Sequence, residues 1–209
     1  GRKVLDIGCG SGAFLKQLLA GGADATGMEV TEETLARAAA GGIDPARLAL
    51  GDGRTLPFAD GSADLVVSLL QAQAVNDLPG LFAQVHRILR PDGLFLAVAA
   101  GNDTLFELKN ALTAAEAEIT GGARPRWHPT LDLRDTAGLL QRAGFAIPVA
   151  DVDRYTVRYG AIDGLVADLR AMGATSILSG RDRRPLPRAV ITRAGEIYRE
   201  RFADPDGRL

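Results

Sequence analysis

The 209-residue sequence predicts an α/β fold whose mostly parallel, doubly wound sheet is covered by helices on both faces. Two observations support this prediction. Short apolar runs bounded by glycine alternate with segments whose apolar residues recur at helical spacing. A glycine-rich turn, "GCGSG", separates the first apolar run from the first helical segment. Strands that alternate with helices are typical of a parallel sheet.

The first half of the chain contains five predicted strands, over residues 4–7, 23–30, 47–50, 64–69 and 94–99. Three helices connect them. The first covers residues 13–19, and the second follows Thr31, a residue typical of a helix N-cap. The third follows the apolar face from Leu78 to Leu89 and is expected to end at "RPDG".

The second half is predicted to be largely helical. Helices are expected over 104–119, 132–143, 162–172 and 187–202, with a sixth strand over 145–152. We expect residues 1–160 to form one α/β domain with a helical insertion at about 102–143 that acts as a lid. Residues 161–209 are expected to form a helical extension packed on the same domain.

Composition argues against several classes of function. Hydrophobic residues make up 46% of the chain and its net charge is −2, so a broad basic surface for nucleic acid is not expected. Cys9 is the sole cysteine, and the two histidines, His86 and His128, lie far apart. We therefore expect no internal disulfide and no metal site. No apolar run approaches the roughly 18 residues that span a membrane.

The location expected from the sequence is the bacterial cytoplasm, since no signal peptide is evident. Gly1 is not a start methionine and the first strand begins almost at once. An upstream targeting segment is therefore left open.

The turn after the first strand fits the pattern G-x-G-x-x-[GA] over residues 8–13, and Glu29 follows about 20 residues later, where an acid would bind ribose. The glycines would give a tight turn and let a ligand approach the backbone at a helix N-terminus. This motif alone leaves NAD, S-adenosylmethionine and a turn without ligand all open.

Three features favour S-adenosylmethionine. Asp6 lies two residues before Gly8, where a carboxylate would repel a pyrophosphate and attract an ammonium group. "GDGRTLPF" follows the third strand, so Asp52 and Gly53 are placed to bind an adenine edge. "ADLVVS" and "ILRPDG" then follow in order. Together these motifs, over residues 4–98, resemble the class I S-adenosylmethionine-dependent methyltransferases of methyltransferase type 11.

The resemblance implies a Rossmann-like sheet of order 3-2-1-4-5-7-6. It also implies S-adenosylmethionine as cofactor, with S-adenosylhomocysteine as product. The glycines would bound the methionine and ribose, Glu29 would take the ribose hydroxyls, and Met28 and Val30 would flank the adenine. The implied cofactor-binding residues are Asp6, Gly8, Gly10, Gly12, Met28, Glu29, Val30, Asp52, Gly53 and Leu69.

A narrower resemblance extends nearly to the C-terminus. "VNDLPGLFAQVHRILRPDG", "GNDTLFELKNAL", "LLQRAGF" and "DLRAMGATS" are similar to segments of two groups. One is the methyltransferase-like assembly factors of respiratory complex I, and the other is the malonyl-carrier-protein methyltransferases of biotin synthesis. Two departures stand out: Gln73 and Ala74 replace the His-Trp pair of the assembly factors, and the last strand of the family is missing after "DPDG".

The resemblance leads us to expect methyl transfer to a small or carrier-bound acceptor, a carboxylate being one candidate. The alternatives are an assembly factor that modifies an arginine of a complex I subunit, and a cofactor-binding relative without catalysis. No catalytic residue is evident, and a carboxylate acceptor needs no base. The residues predicted to meet an acceptor are Gln71, Gln73, Arg124, Arg126, Trp127 and His128. Some of them have an equally plain role as loop or packing residues.

Overall fold

The computed structural model describes residues 1–128, 130–174, 178 and 184–205. The chain divides into two compact units. The first comprises Gly1–Gly101 and Leu131–Asp151, and the second comprises Asn102–Thr130 and Val152–Leu209. The segment predicted as an insertion, at about 102–143, is thus divided between the two units.

The first unit contains a five-stranded parallel sheet of order β3-β2-β1-β4-β5, as the sequence predicted for these strands. The order reverses between β1 and β4, where a crevice opens at the carboxyl edge of such a sheet. The strands are β1 Lys3–Ile7, β2 Asp24–Glu29, β3 Leu48–Leu50, β4 Ala63–Leu69 and β5 Leu89–Val98.

Four helices belong to the first unit, and they are α1 Ala13–Ala20, α2 Glu32–Ala40, α3 Leu78–Ile88 and α5 Leu133–Arg142. Thr31 caps α2 as predicted, because its hydroxyl accepts a hydrogen bond from the Thr34 N–H. One core cluster packs Phe82 and Val85 of α3 against Val66 of β4. A second cluster includes Leu15 of α1.

β5 begins earlier than predicted. The "RPDG" segment does not stand between α3 and the strand but forms the start of the strand, which pairs Leu89 with Ala63 before the register shifts. Asp92 adopts a left-handed backbone with φ 63°, and this turns the chain inside the strand. These residues do form a turn, as their types predict. Because β5 pairs with β4 on both sides of the turn, the turn lies within the strand rather than before it.

The prediction of a sixth strand over 145–152 is wrong for the residues that the structure describes. This segment has no regular structure, and Ile147 and Val149 are 87% and 84% exposed. Its alternating apolar residues resemble a strand. A strand also needs a hydrogen-bonded neighbour, however, and the described residues supply none beside it.

The second unit is helical, with α4 Phe106–Thr120, α6 Ile162–Ala171 and α7 Arg188–Phe202. Small buried residues, Ala111 and Ala115 of α4 and Ala194 of α7, let the helices approach closely. Leu165 of α6 belongs to the same cluster. Within the described part of the chain, no helix has the length and apolar character needed to cross a membrane.

Candidate functional site

The glycine turn is tied to the end of β2. The N–H groups of Gly8 and Cys9 both donate to the Met28 carbonyl, over 2.8 and 3.1 Å. Gly8, Gly10 and Gly12 all have positive φ, between 56° and 80°, a conformation that glycine adopts without strain. This explains why the turn between β1 and α1 needs three glycines.

The glycines differ in what a side chain would meet. A Cβ on Gly12 would lie 2.0 Å from Cδ1 of the buried Ile43, so a side chain there would force Ile43 to move. A Cβ on Gly10 would meet no atom within 4 Å. Gly10 therefore borders open space that a ligand could occupy, whereas Gly12 packs closely against Ile43, and its contact with a cofactor stays a prediction.

A cleft opens at the carboxyl ends of β1, β2 and β3. Its lining contains seven of the residues predicted from the sequence, which are Gly8, Met28, Glu29, Val30, Asp52, Gly53 and Gln71. Three lining residues were not predicted: Ile7, Gly51 and Val75. These residues are apolar or have no side chain, so nothing in their chemistry marks them as binding residues. The folding of the chain brings them to the cleft.

Glu29 is largely buried at the end of β2, with 9% of its surface exposed. One carboxylate oxygen accepts a hydrogen bond from the Val30 N–H, over 2.8 Å. The Glu29 carbonyl accepts from the Gly51 N–H, which fixes β3 beside it. A carboxylate has room for further hydrogen bonds, so Glu29 retains acceptor capacity toward a pair of hydroxyls in the cleft.

Asp52 is already engaged on one side. Its carboxylate accepts from the Arg54 side chain, with Oδ2 2.7 Å from Nε, and from the Arg54 N–H. This pairing lowers the pKa of Asp52. Both side chains are well exposed, so the pair adds little stability. The remaining acceptor positions of Asp52 are those that an adenine amino group would need.

Asp6 of β1 is a buried carboxylate whose hydrogen bonds are incomplete. It is 2% exposed, and its Oδ2 has no hydrogen-bond partner among the described residues. Burial, and secondarily the charge of Glu29, raises the pKa of Asp6 to about 6. A buried, unpaired carboxylate is costly to the fold, and such sites are often functional.

Two other buried side-chain atoms lack a partner among the described residues, Ser68 Oγ and Gln73 Oε1. Ser68 lies near the end of β4, paired with Ile7 of β1, and Gln73 lies in the turn that follows. With Asp6, all three unsatisfied groups belong to β1, β4 and the turn after β4. This end of the sheet therefore offers hydrogen-bond acceptors to a polar ligand.

Five predicted site residues of the first unit are not among the described residues that line the cleft: Asp6, Gly10, Gly12, Leu69 and Gln73. Leu69 packs beside the α1 side of the core. Burial raises the pKa of Cys9 in the glycine turn to about 12, so it stays a neutral thiol. The ring of His86 on α3 packs edge-on against Phe145. Across the residues described, no group of His, Cys, Asp and Glu is arranged to hold a metal ion.

The remaining predicted contacts, Arg124, Arg126, Trp127 and His128, lie in the second unit. Glu116 of α4, 3% exposed, accepts two hydrogen bonds from the Arg126 guanidinium, over 2.6 and 3.1 Å, and one from the Arg124 N–H. Trp127 packs against the core cluster of this unit, and Lys109 lies 6.0 Å from its ring. These contacts tie the segment to α4, which the sequence did not indicate.

Replacing Glu116 by Gln should destabilise the protein by about 1–2 kcal/mol, because the half-buried Arg126 then loses its counter-charge. Glu118→Gln is the matched control on the same helix, since Glu118 pairs with Arg193 at a more exposed position. Urea unfolding of both variants measures the difference. Equal midpoints would show that the Glu116–Arg126 pair is no stronger than a surface pair.

This chain is similar in sequence to known methyltransferases and to an arginine-hydroxylase. Residues 5–97 match the model of the methyltransferase domain family. Human mitochondrial arginine-hydroxylase NDUFAF5 is 37% identical over 208 residues, which cover 98% of this chain and 59% of the relative. The malonyl-[acyl-carrier protein] O-methyltransferase of Xylella fastidiosa is 36% identical over 184 residues, covering 86% of this chain and 60% of the relative. Residues 5–97 of the chain therefore form a methyltransferase domain.

Solved structures share the fold of this chain. YcgJ of Bacillus subtilis aligns with a TM-score of 0.63 at 19% identity, covering 99% of this chain and 80% of the other. An S-adenosylmethionine-dependent methyltransferase of Mesorhizobium loti aligns with a TM-score of 0.55 at 24% identity, covering 83% and 84%. The chain spans about 60% of the length of these curated relatives.

Proposed function

We propose that the chain binds S-adenosylmethionine and transfers its methyl group to a small or carrier-bound acceptor, a carboxylate being the leading candidate. The observation that carries this proposal is the cleft beside the glycine turn, with Glu29 at its β2 end and Asp52 and Gly53 after β3. When bound, the cofactor supplies a methyl group on an already activated sulfonium.

The residues present fit this cofactor better than a dinucleotide. A pyrophosphate would meet the buried carboxylate of Asp6, whose unpartnered oxygen suits an ammonium group instead. Glu29 would hold the ribose hydroxyls, and the Gly53 N–H and Asp52 carboxylate would bind the adenine edge. Asp6, Gly10, Gly12 and Leu69 are proposed contacts that lie outside the described lining of the cleft.

The protein's own contribution to such a displacement is alignment and exclusion of water. Gln71 covers the glycine turn and lines the cleft with Val75. Among the described residues that line the cleft, the ionisable side chains are the carboxylates of Glu29 and Asp52, which the cofactor itself would engage. This agrees with an acceptor that is already ionised, since a carboxylate does not have to lose a proton before it attacks.

Arg124, Arg126, Trp127 and His128 stay proposed contacts for an anionic acceptor. Arg126 already pairs with Glu116, so an acceptor carboxylate would have to share or replace that partner. Incubation with labelled S-adenosylmethionine and malonyl-carrier protein tests the leading acceptor. Label on the carrier that base hydrolysis removes supports an ester product.

A second candidate is modification of an arginine in a subunit of respiratory complex I, which the similarity to NDUFAF5 favours. Mass spectrometry of such a subunit after incubation with the chain separates the two. A methyl or an oxygen on the arginine, with no label on the carrier, supports the second candidate. A location in the bacterial cytoplasm stays a prediction. The human relative is named as a mitochondrial protein.

Glu29→Ala should weaken the binding of S-adenosylhomocysteine by roughly tenfold to a hundredfold, because a charge-assisted hydrogen bond of about 1.5–3 kcal/mol is lost. Glu32→Ala, an exposed carboxylate in the first turn of α2, is the control. Isothermal calorimetry measures both variants. Unchanged affinity for the Glu29 variant would remove this residue from the ribose site.

A further inference from the structure

The turn that follows β4 contains a strained residue. Leu70 has a φ of 55°, in the left-handed region that residues with a Cβ avoid. Its side chain is 58% exposed, so packing does not hold it there. Strain of this kind persists only where surrounding contacts impose it, and it is often found beside functional sites.

Two hydrogen bonds impose this conformation. The Leu70 N–H donates to the Val98 carbonyl at the end of β5, over 2.7 Å. The Gln73 amide nitrogen donates to the Leu70 carbonyl, over 2.5 Å. A carbonyl oxygen only accepts, so the nitrogen of Gln73 must face it. Gln73 Oε1 then faces the other way, buried and without a partner in the described part of the chain.

The conformation of Leu70 sets the direction in which the chain leaves β4, and Gln71 is the next residue. The Gln71 side chain lies directly over the glycine turn: a Cβ built on Gly8 would be 2.5 Å from Cγ of Gln71. Both residues line the cleft. The position of Gln71 at the cleft therefore depends on a bond that Gln73 makes from outside it.

We propose that Gln73 is a positioning residue for the cleft, whose amide holds Leu70 in the left-handed conformation and thereby keeps Gln71 over Gly8. The inference rests on the proposed function, because the ligand whose binding it shapes is the cofactor. Gln73 acts here through the backbone, so it need not touch any ligand.

The test uses the full chain and titrates S-adenosylhomocysteine by calorimetry. Gln73→Met keeps the size of the side chain and removes the donor, and it should weaken binding about tenfold. Gln73→Glu also lacks the donor at neutral pH and serves if the first variant does not fold. Gln141→Met, at an exposed position on α5, is the control for the substitution itself.

The decisive variant adds Leu70→Gly to Gln73→Met. Glycine adopts the left-handed conformation without help, so the double variant should recover most of the lost affinity. A merely structural role of Gln73 predicts no such recovery, because removing a second side chain would add to the damage. Thermal unfolding of every variant confirms that the native state is populated during the titrations.

The titrations distinguish failure of this inference from failure of the proposed function. Wild-type affinity in Gln73→Met would overturn this inference and leave the proposed function standing. Weak binding that Leu70→Gly does not restore would also overturn it, because Gln73 would then act by direct contact or by packing. A wild-type chain that binds no S-adenosylhomocysteine would overturn the proposed function and this inference with it.

Discussion

Gly10→Val is expected to abolish binding of S-adenosylhomocysteine and to leave the chain folded. The glycine has a φ of 56° and a Cβ there would have no atom within 4 Å, so the valine side chain would extend into open space. It fills the space beside the glycine turn that the cofactor would use. The backbone strain of about 1–3 kcal/mol is small beside the stability of most domains.

Gly22→Val is the matched control for this prediction. Gly22, in the turn between α1 and β2, also has a positive φ, 81°, and an open space around its Cβ. It carries a similar backbone strain but lies at the other end of α1, away from the glycine turn that the cofactor would approach. Calorimetry should show binding for the Gly22 variant and none for the Gly10 variant. Equal binding would mean that the space at Gly10 is not used by the ligand.

Asp6→Asn should make the protein more stable and a weaker binder. The buried carboxylate has a pKa of about 6, against 3.8 for an ordinary Asp, so the folded state opposes its ionisation. The two-unit difference corresponds to about 2–3 kcal/mol of stability withheld at neutral pH. Asn removes this charge. Loss of the partner for an ammonium group should lower cofactor affinity by about a hundredfold.

The pH dependence of this gain follows from the raised pKa. Between about pH 4 and pH 6 the folded state holds the Asp6 proton more tightly than the unfolded state, so the wild type loses stability as pH rises through this window. The advantage of Asp6→Asn should therefore be full above pH 6 and vanish near pH 4. Urea unfolding at both ends of the window measures it.

Asp6→Asn would contradict this account if it destabilised the protein at pH 7.5 or bound S-adenosylhomocysteine like the wild type. The wild type offers an independent check, since binding of an ammonium group needs the ionised carboxylate. Its affinity should fall about tenfold per pH unit below pH 6. The Asn variant should lack this dependence.

The sequence predicted the sheet well because each of its strands is a local signal. Apolar runs bounded by glycine give β1 to β4 within a few residues, and Thr31 marks the start of α2 through its own hydroxyl. The predictions are wrong where the hydrogen-bonded pairing of strands, rather than the local sequence, determines the structure. β5 extends back to Leu89 because Ala63 pairs with it, and 145–152 is not a strand because no described neighbour pairs with it.

The charged residues of the cleft and the residues that flank Glu29 could be predicted, whereas Ile7, Gly51 and Val75 could not. Glu29 and Asp52 stand out in a sequence because of their chemistry at strand ends. Val75 enters the cleft only through the turn after β4, whose left-handed Leu70 no sequence signal announces. The Glu116–Arg126 pair is similarly hidden, because ten residues separate its partners along the chain.

The most direct test of this account is the titration of the wild-type chain with S-adenosylhomocysteine and, separately, with NAD. We expect saturable binding of S-adenosylhomocysteine, weakened by Glu29→Ala and lost in Gly10→Val, and no binding of NAD. We expect this preference because the buried carboxylate of Asp6, beside the glycine turn, would attract the ammonium group of S-adenosylhomocysteine and repel the pyrophosphate of NAD. Saturable binding of NAD without binding of S-adenosylhomocysteine would contradict the account.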